Sequence, residues 1–227
     1  MLIKKEFKYE PKQIKDIIWG NAESHLRIED IVSGAEALPY CGKSAILLYG
    51  VFGTGKTTLA KLLPQAIEMG RTGQSLAIEA DFIGCQQGFN GPQVMVLIEK
   101  ILSKNSFNAS GLHYFILDEV DNLTKLAQQS LKSALNTDRG IFVLTTNNVS
   151  ELDKGLKDRC VLVEMNAAPV SEYLPLAKNL ISDMGVAISD MDLVPTISAA
   201  NGSFRNLIHN VERLARRRGV PPPNVIY

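Results

Sequence analysis

GVFGTGKTT occupies residues 50–58, and whether it grips a phosphate chain decides how the rest of the chain folds. Gly50, Gly55, Lys56 and Thr57 keep the spacing of a phosphate-cradling loop, provided that a strand precedes it and a helix follows. Both conditions are met in sequence. The apolar run SAILLY, 44–49, ends on the glycine as a buried strand does, and TTLAKLLPQAI repeats its apolar residues at helical spacing. Gly53 and Gly55 let backbone N–H groups turn towards phosphate oxygens at the positive end of a helix. Thr54 and Thr58 flank that cradle. Lys56 is placed to reach the β and γ phosphates, and the Thr57 hydroxyl to ligate magnesium. The expected ligands are ATP and Mg²⁺.

Four more apolar runs follow: SLAIEA (75–80), LHYFILDEV (112–120), GIFVLTTN (140–147) and CVLVEM (160–165). Helical spacing fills the gaps between them. In LTKLAQQSLKSAL, Leu123, Leu126, Ala127, Leu131, Ala134 and Leu135 are expected on one stripe, with Lys125, Gln128, Gln129 and Lys132 mostly on the other side. Strands that alternate with helices predict an α/β fold, a parallel sheet with helices on both faces. The third run delivers Asp118 and Glu119 to the carboxyl end of its strand, where ligands of such sheets bind. Asp118 is expected to hold the magnesium and Glu119 to orient or deprotonate the attacking water.

After Met165 the strands stop. Three helical segments are predicted, near 171–184, 190–200 and 203–218, with Gly185 and Gly202 as stops. The expected domains are 1–166, a P-loop ATPase domain, and 167–219, a small helical lid. The extended tail VPPPNVIY follows at 220–227.

Composition excludes little but directs attention. Lys plus Arg equals Asp plus Glu at 24 each, so no global charge steers the chain towards nucleic acid or membrane. From Asn201 onward, however, Arg205, Arg213, Arg216, Arg217 and Arg218 face one acid, Glu212. That excess either meets phosphates or marks a solvated helix end. Cys41, Cys85 and Cys160 are scattered, and His25, His113 and His209 offer no metal-ligand spacing, so no zinc site is expected. Unpaired thiols suit a reducing cytoplasm. The start lacks the apolar core of a signal peptide, and no apolar run reaches bilayer length, so a cytoplasmic protein without membrane contact is expected.

Taken together, the P-loop, DEVD, a strand ending TTNN and a trailing helical segment resemble the AAA+ ATPases. Within them, DEVDNLTKLAQQSLKSALN, FVLTTNN and LDKGLKDRC follow the order and spacing of clamp-loader subunits: replication factor C, bacterial polymerase III γ-type and phage loaders. The resemblance implies a sensor-1 role for Asn147, at the γ phosphate or the water. It implies that Arg159 is a finger given to a neighbour's ATP, although Asp158 stands where the family usually has Ser. Arg205 resembles the sensor-2 arginine of the lid. FKYEPKQIKDII resembles the segment that lines the adenine pocket, with Tyr9 and Pro11 matching and Glu10 replacing the usual Arg; Ile17 and Ile18 add apolar contact. Residues 1–227 are expected to cover neither the family's collar domain nor a zinc module between P-loop and DEVD.

The resemblance implies an ATPase that self-associates or assembles with related subunits and acts on DNA, opening or loading a sliding clamp in replication. Two alternatives stay open: a DNA-coating regulator or helicase loader that recruits another replication or recombination protein, and a non-hydrolysing scaffold subunit. Candidate DNA contacts are the loop 84–93, with Phe89 as a stacking residue or a hydrophobic plug, and Lys125 with Lys132 on one helix face.

Overall fold

A computed structural model of the chain describes residues 9–74, 77–85 and 91–219. Five strands form one parallel sheet: β1 (Ala45–Tyr49), β2 (Ala80–Gly84), β3 (His113–Asp118), β4 (Gly140–Thr146) and β5 (Cys160–Glu164), in the order β2-β3-β4-β1-β5. The three central strands are apolar on both faces because both faces are covered. Leu47 registers with Leu144 on one side and Leu162 on the other. Phe115 stacks on Phe142 across β3 and β4, with centroids 4.7 Å apart.

The strand expected at 75–80 begins only at Ala80. Residues 75 and 76 lie outside the described residues, and at Glu79 a side chain takes the place of a strand neighbour. Asn108 Nδ2 donates to the Glu79 carbonyl, and the Glu79 N–H donates to Asn108 Oδ1. β2 is an edge strand of which only Ile83 is buried, so hydropathy barely marks it. The third strand stops at Asp118 because Glu119 turns into the left-handed region, φ 60°.

Helices α1 (Ala22–Ser33) and α2 (Lys56–Thr72) pack together against the sheet. α3 (Gly91–Leu102) and α4 (Lys125–Ala134) join Leu47, Phe115, Leu117 and Leu144 in a second layer, through Val94, Ile98, Ala127 and Leu131. A short helix, α5 (Lys154–Asp158), leads into β5. The α4 stripe differs from expectation at two residues. Leu126 is 73% exposed and Gln128 is buried. Thr124 caps the helix, so Leu123 belongs to the preceding turn. Gln128 then enters the interior because both ends of its amide find partners, the nitrogen donating to the Leu123 carbonyl and the oxygen accepting from the Asp153 N–H.

The chain divides into two compact units. The first holds the sheet and α1–α5; the second gathers Ile18–Asn21, Val51–Gly55 and the chain from Met165 onward. Within the second, α6 (Val170–Asp183), α7 (Asp190–Ser198) and α8 (Phe204–Arg217) bury Tyr173, Ala177, Leu193, Ile197, Leu207 and Val211. Ser189 and Ser203 cap α7 and α8. Arg216 pairs with Glu212, and Arg218 with Asp192, so these two belong to a solvated helix end. The tail 220–227 lies outside the described residues. No helix among the described residues is long and apolar enough to cross a membrane.

Candidate active site

β3 carries Asp118 and Glu119 to the carboxyl edge of the sheet, where α2 begins. The Thr57 hydroxyl on α2 donates to Asp118 Oδ1 at 2.7 Å. The Thr145 hydroxyl on neighbouring β4 donates to the same oxygen, also at 2.7 Å, and accepts the Glu119 N–H at 2.9 Å. Glu119 itself is exposed, with a left-handed backbone of φ 60°, ψ 54°. Asn122 Nδ2 lies 3.2 Å from Glu119 Oε2 and 3.2 Å from the Cys85 carbonyl. Two adjacent carboxylates are thus held differently: Asp118 by two hydroxyls, Glu119 chiefly by its backbone.

Lys56 opens α2 and is buried, with Nζ donating to the Gly50 carbonyl at 2.9 Å. Burial lowers its ammonium to about 8, and the carboxylates of Asp121, Asp118 and Glu119 oppose that shift. Asp121 Oδ1 is buried with no hydrogen bond from the described residues. The sequence expectation named Asp118 and Glu119 but passed over Asp121. Thr57, Asp118 and the orphaned Asp121 oxygen are hard oxygen donors, and that set fits a hydrated magnesium ion. A buried ammonium beside a helix start without acidic residues fits phosphate.

The glycine-rich loop has its own supports within the second unit. Thr54 Oγ1 donates to the Val51 carbonyl, and the Gly53 carbonyl accepts the Phe204 N–H at 2.8 Å. Gly53 has φ +80°, and a Cβ there would sit 2.3 Å from Ser203 Oγ. Only glycine fits on both counts. The loop therefore rests on the first turn of α8, one residue before Arg205.

A family model described as "ATPase family associated with various cellular activities (AAA)" matches residues 46–166, more than half of the chain. The chain belongs to the AAA family of ATPases. Its fold is thereby a nucleotide-binding one. A probable replication factor C subunit 2 of Dictyostelium discoideum is 27% identical to this AAA chain over 208 residues, 90% of the chain and 58% of that protein. Replication factor C small subunit 2 of Pyrobaculum islandicum is 24% identical over 207 residues, 90% of the chain and 61% of that protein. The chain thus spans 58% and 61% of the length of these curated relatives. Among solved structures, the Thermotoga maritima RuvB Holliday junction branch migration motor superposes with a TM-score of 0.68. It is 21% identical, over 92% of this chain and 65% of that one. The expected fold, a parallel AAA+ sheet with helices around it and beyond it, is the fold found.

In this AAA chain the structure brings Lys56, Thr57, Asp118 and Glu119 together. Asn147 follows β4 directly and is half-buried. Thr58 lies in the first turn of α2, half-buried. Arg159 closes α5, and its guanidinium donates to Asn136 Oδ1 and to the Gly155 carbonyl rather than pairing with Asp158 or Glu164. Its sequence neighbours Asp158 and Cys160 line a cleft of about 470 Å³ together with Arg27, Lys43, Lys154 and Lys157. Tyr9 and Pro11 are half-buried, Ile17 is buried and Ile18 half-buried, and the turn Ile14–Asp16 packs on α2. Residues 7 and 8 of that segment lie outside the described residues. Of the suggested DNA contacts, the loop residues 86–90 with Phe89 also lie outside them. Lys125 is engaged, its Nζ donating to the Glu151 carbonyl, and Lys132 lies along Gly155.

Thr145 and Asn122 had not been singled out as functional residues. A signal for Thr145 existed: a hydroxyl closing the apolar run IFVL, on the strand that ends in Asn147. Asn122 carries no comparable mark, since asparagine three residues beyond a strand is ordinary turn chemistry.

Proposed function

We propose that the chain is an ATP-hydrolysing motor subunit of clamp-loader type. It would assemble with copies of itself or related subunits through shared ATP sites and act on DNA in replication, in the cytoplasm. The observation that carries the reading is the hydroxyl–carboxylate chain Thr57–Asp118–Thr145–Glu119 beside Lys56. The likeness to replication factor C subunits supports the clamp-loader reading.

Lys56 and the loop N–H groups bind the triphosphate. Thr57 and Asp118 are the residues that would hold magnesium, which when bound neutralises phosphate charge. Glu119 orients and deprotonates the attacking water, and Asn147 contacts the γ phosphate or that water. Arg159, on a face already rich in cations, is the finger offered to a neighbour's nucleotide, and Arg205 senses nucleotide from the lid. An arginine supplied in trans makes hydrolysis conditional on assembly. Tyr9, Pro11, Ile17 and Ile18 line the adenine pocket. The matching division is an ATPase domain at 1–166, a lid at 167–219 and a tail at 220–227.

The test is particle mass in solution with a slowly hydrolysed ATP analogue, against duplexes of increasing length. A fixed particle of a few subunits that opens or loads a ring supports the proposal. Mass that grows with duplex length would replace it with a DNA-coating regulator, and absence of ATP turnover with DNA and partners would leave a scaffold subunit.

A further inference from the structure

We propose that Thr145 is a positioning residue for ATP hydrolysis, setting both the magnesium-side carboxylate and the backbone of the general base through one hydroxyl. This rests on the reading of Glu119 as that base.

Glu119 has a backbone that disfavours it. A left-handed conformation is unfavourable for a non-glycine residue and persists only where its surroundings impose it. Here the imposing group is identifiable. The Glu119 N–H can only donate, so the Thr145 oxygen must accept it. The single Thr145 proton is then directed to Asp118 Oδ1. Donor and acceptor roles are therefore fixed along the chain, and Thr145 itself is buried, 1% exposed. β4 supplies the rigidity: Thr145 pairs in register with Leu48 of β1 in the middle of the sheet. Asp118 at the end of β3 and Glu119 just beyond it are thus referenced to β4 rather than to their own turn.

Asn122 adds a contact on the Glu119 carboxylate, but it is on the same turn and moves with it. Thr145 does not. Removing its hydroxyl takes away the acceptor of the Glu119 N–H and leaves Asp118 Oδ1 with one donor fewer. Misplacement of a reacting group by about 1 Å costs about 100-fold in rate.

The experiment uses the full chain with Thr145→Val, which keeps the shape without the hydroxyl, Thr145→Ser, which keeps the hydroxyl, and Glu119→Gln. Expected for Thr145→Val is a kcat about ten- to a hundredfold lower, with KM for ATP changed by less than about twofold. Thr145→Ser restores most of the rate. Hydrogen exchange at the Glu119 amide speeds up in Thr145→Val and not in Thr145→Ser. If Thr145→Val turns over within about twofold of wild type while Glu119→Gln is inactive, the proposal for Thr145 falls and the hydrolytic reading stands. If Glu119→Gln turns over at the wild-type rate, the hydrolytic assignment itself falls. If Thr145→Val does not fold, Thr145→Ala against Thr145→Ser decides by the same criteria: equal kcat in the two overturns the proposal.

Discussion

At the amino end of β3, Tyr114 and Ser110 close on the carboxylate of Glu68. The Tyr114 hydroxyl donates to Oε2 at 2.7 Å, the Ser110 hydroxyl to the same oxygen at 2.6 Å, and the Ser110 N–H to Oε1 at 2.7 Å. Just past the carboxyl end of the same strand, Glu119 is exposed and, among the described residues, its carboxylate holds one hydrogen bond, at 3.2 Å from Asn122. One strand thus carries two glutamate environments with opposite uses. Glu68 is 2% exposed. Burial works to raise its carboxyl, yet the hydrogen bonds from Ser110 and Tyr114, with Arg71, hold it below the ordinary value. Its oxygens are occupied, so it ties α2 to the sheet and has nothing left for chemistry. Glu119 keeps its oxygens accessible and lets the backbone bear the constraint, which is what a base needs before its water arrives. The comparison teaches that saturation of a carboxylate, more than its charge, separates a strut from a reagent.

The sharpest way to break this comparison is to neutralise the exposed glutamate. Glu119→Gln is expected to lower ATP turnover by about 100-fold or more while leaving nucleotide binding and the melting temperature unchanged. A loss of melting temperature comparable to that of a core variant would show that Glu119 is structural after all.

The reciprocal substitution has a smaller effect of the opposite kind. Glu68→Ala strands the Ser110 and Tyr114 donors in the interior and is expected to cost about 2–3 kcal/mol in denaturant unfolding. Turnover per folded molecule should stay at the wild-type level. A fall in kcat with stability intact would put Glu68 in the reaction.

Lys56 sharpens the contrast from a third side, with the smallest effect. Burial lowers its folded-state ammonium to about 8, against an ordinary value of about 10.4 in the unfolded chain. Below about pH 8 both states are protonated and the destabilisation is complete. Between about 8 and 10.4 the unfolded chain binds more protons, so stability rises with pH across that window. The nucleotide-free protein should therefore lose this rise in Lys56→Met, measured as the difference in melting temperature between the two proteins from pH 7.5 to pH 10, roughly spanning the window. Triphosphate binding near pH 8.5, roughly the folded midpoint, should take up protons, read by calorimetry in buffers of different ionisation enthalpy. Equal pH dependence in both proteins would refute the buried ammonium.

Much of this was legible in the sequence, for local reasons. The phosphate loop, the strand ending in Asp118 and Glu119, and the central strands announce themselves through spacing and uninterrupted apolar runs. Where reading failed, pairing partners were distant. β2 was misplaced because an edge strand commits little apolar surface, and Asn108, 29 residues from Glu79, ends its pairing. Gln128 was read as solvent-facing because its partner, the Asp153 N–H, lies 25 residues on.

Spacing and apolar runs were enough to set the order of strands and helices and the residue types at the sheet's carboxyl edge, since both rest on contacts between near neighbours. Which polar groups are spent and which are left to act emerges only on folding. Thr145 reaches Asp118 across 27 positions, and Glu68 meets Ser110 across 42 and Tyr114 across 46. A hydroxyl or a carboxylate looks the same in a sequence whether or not its hydrogen bonds are already made, and only folding brings its partners within reach.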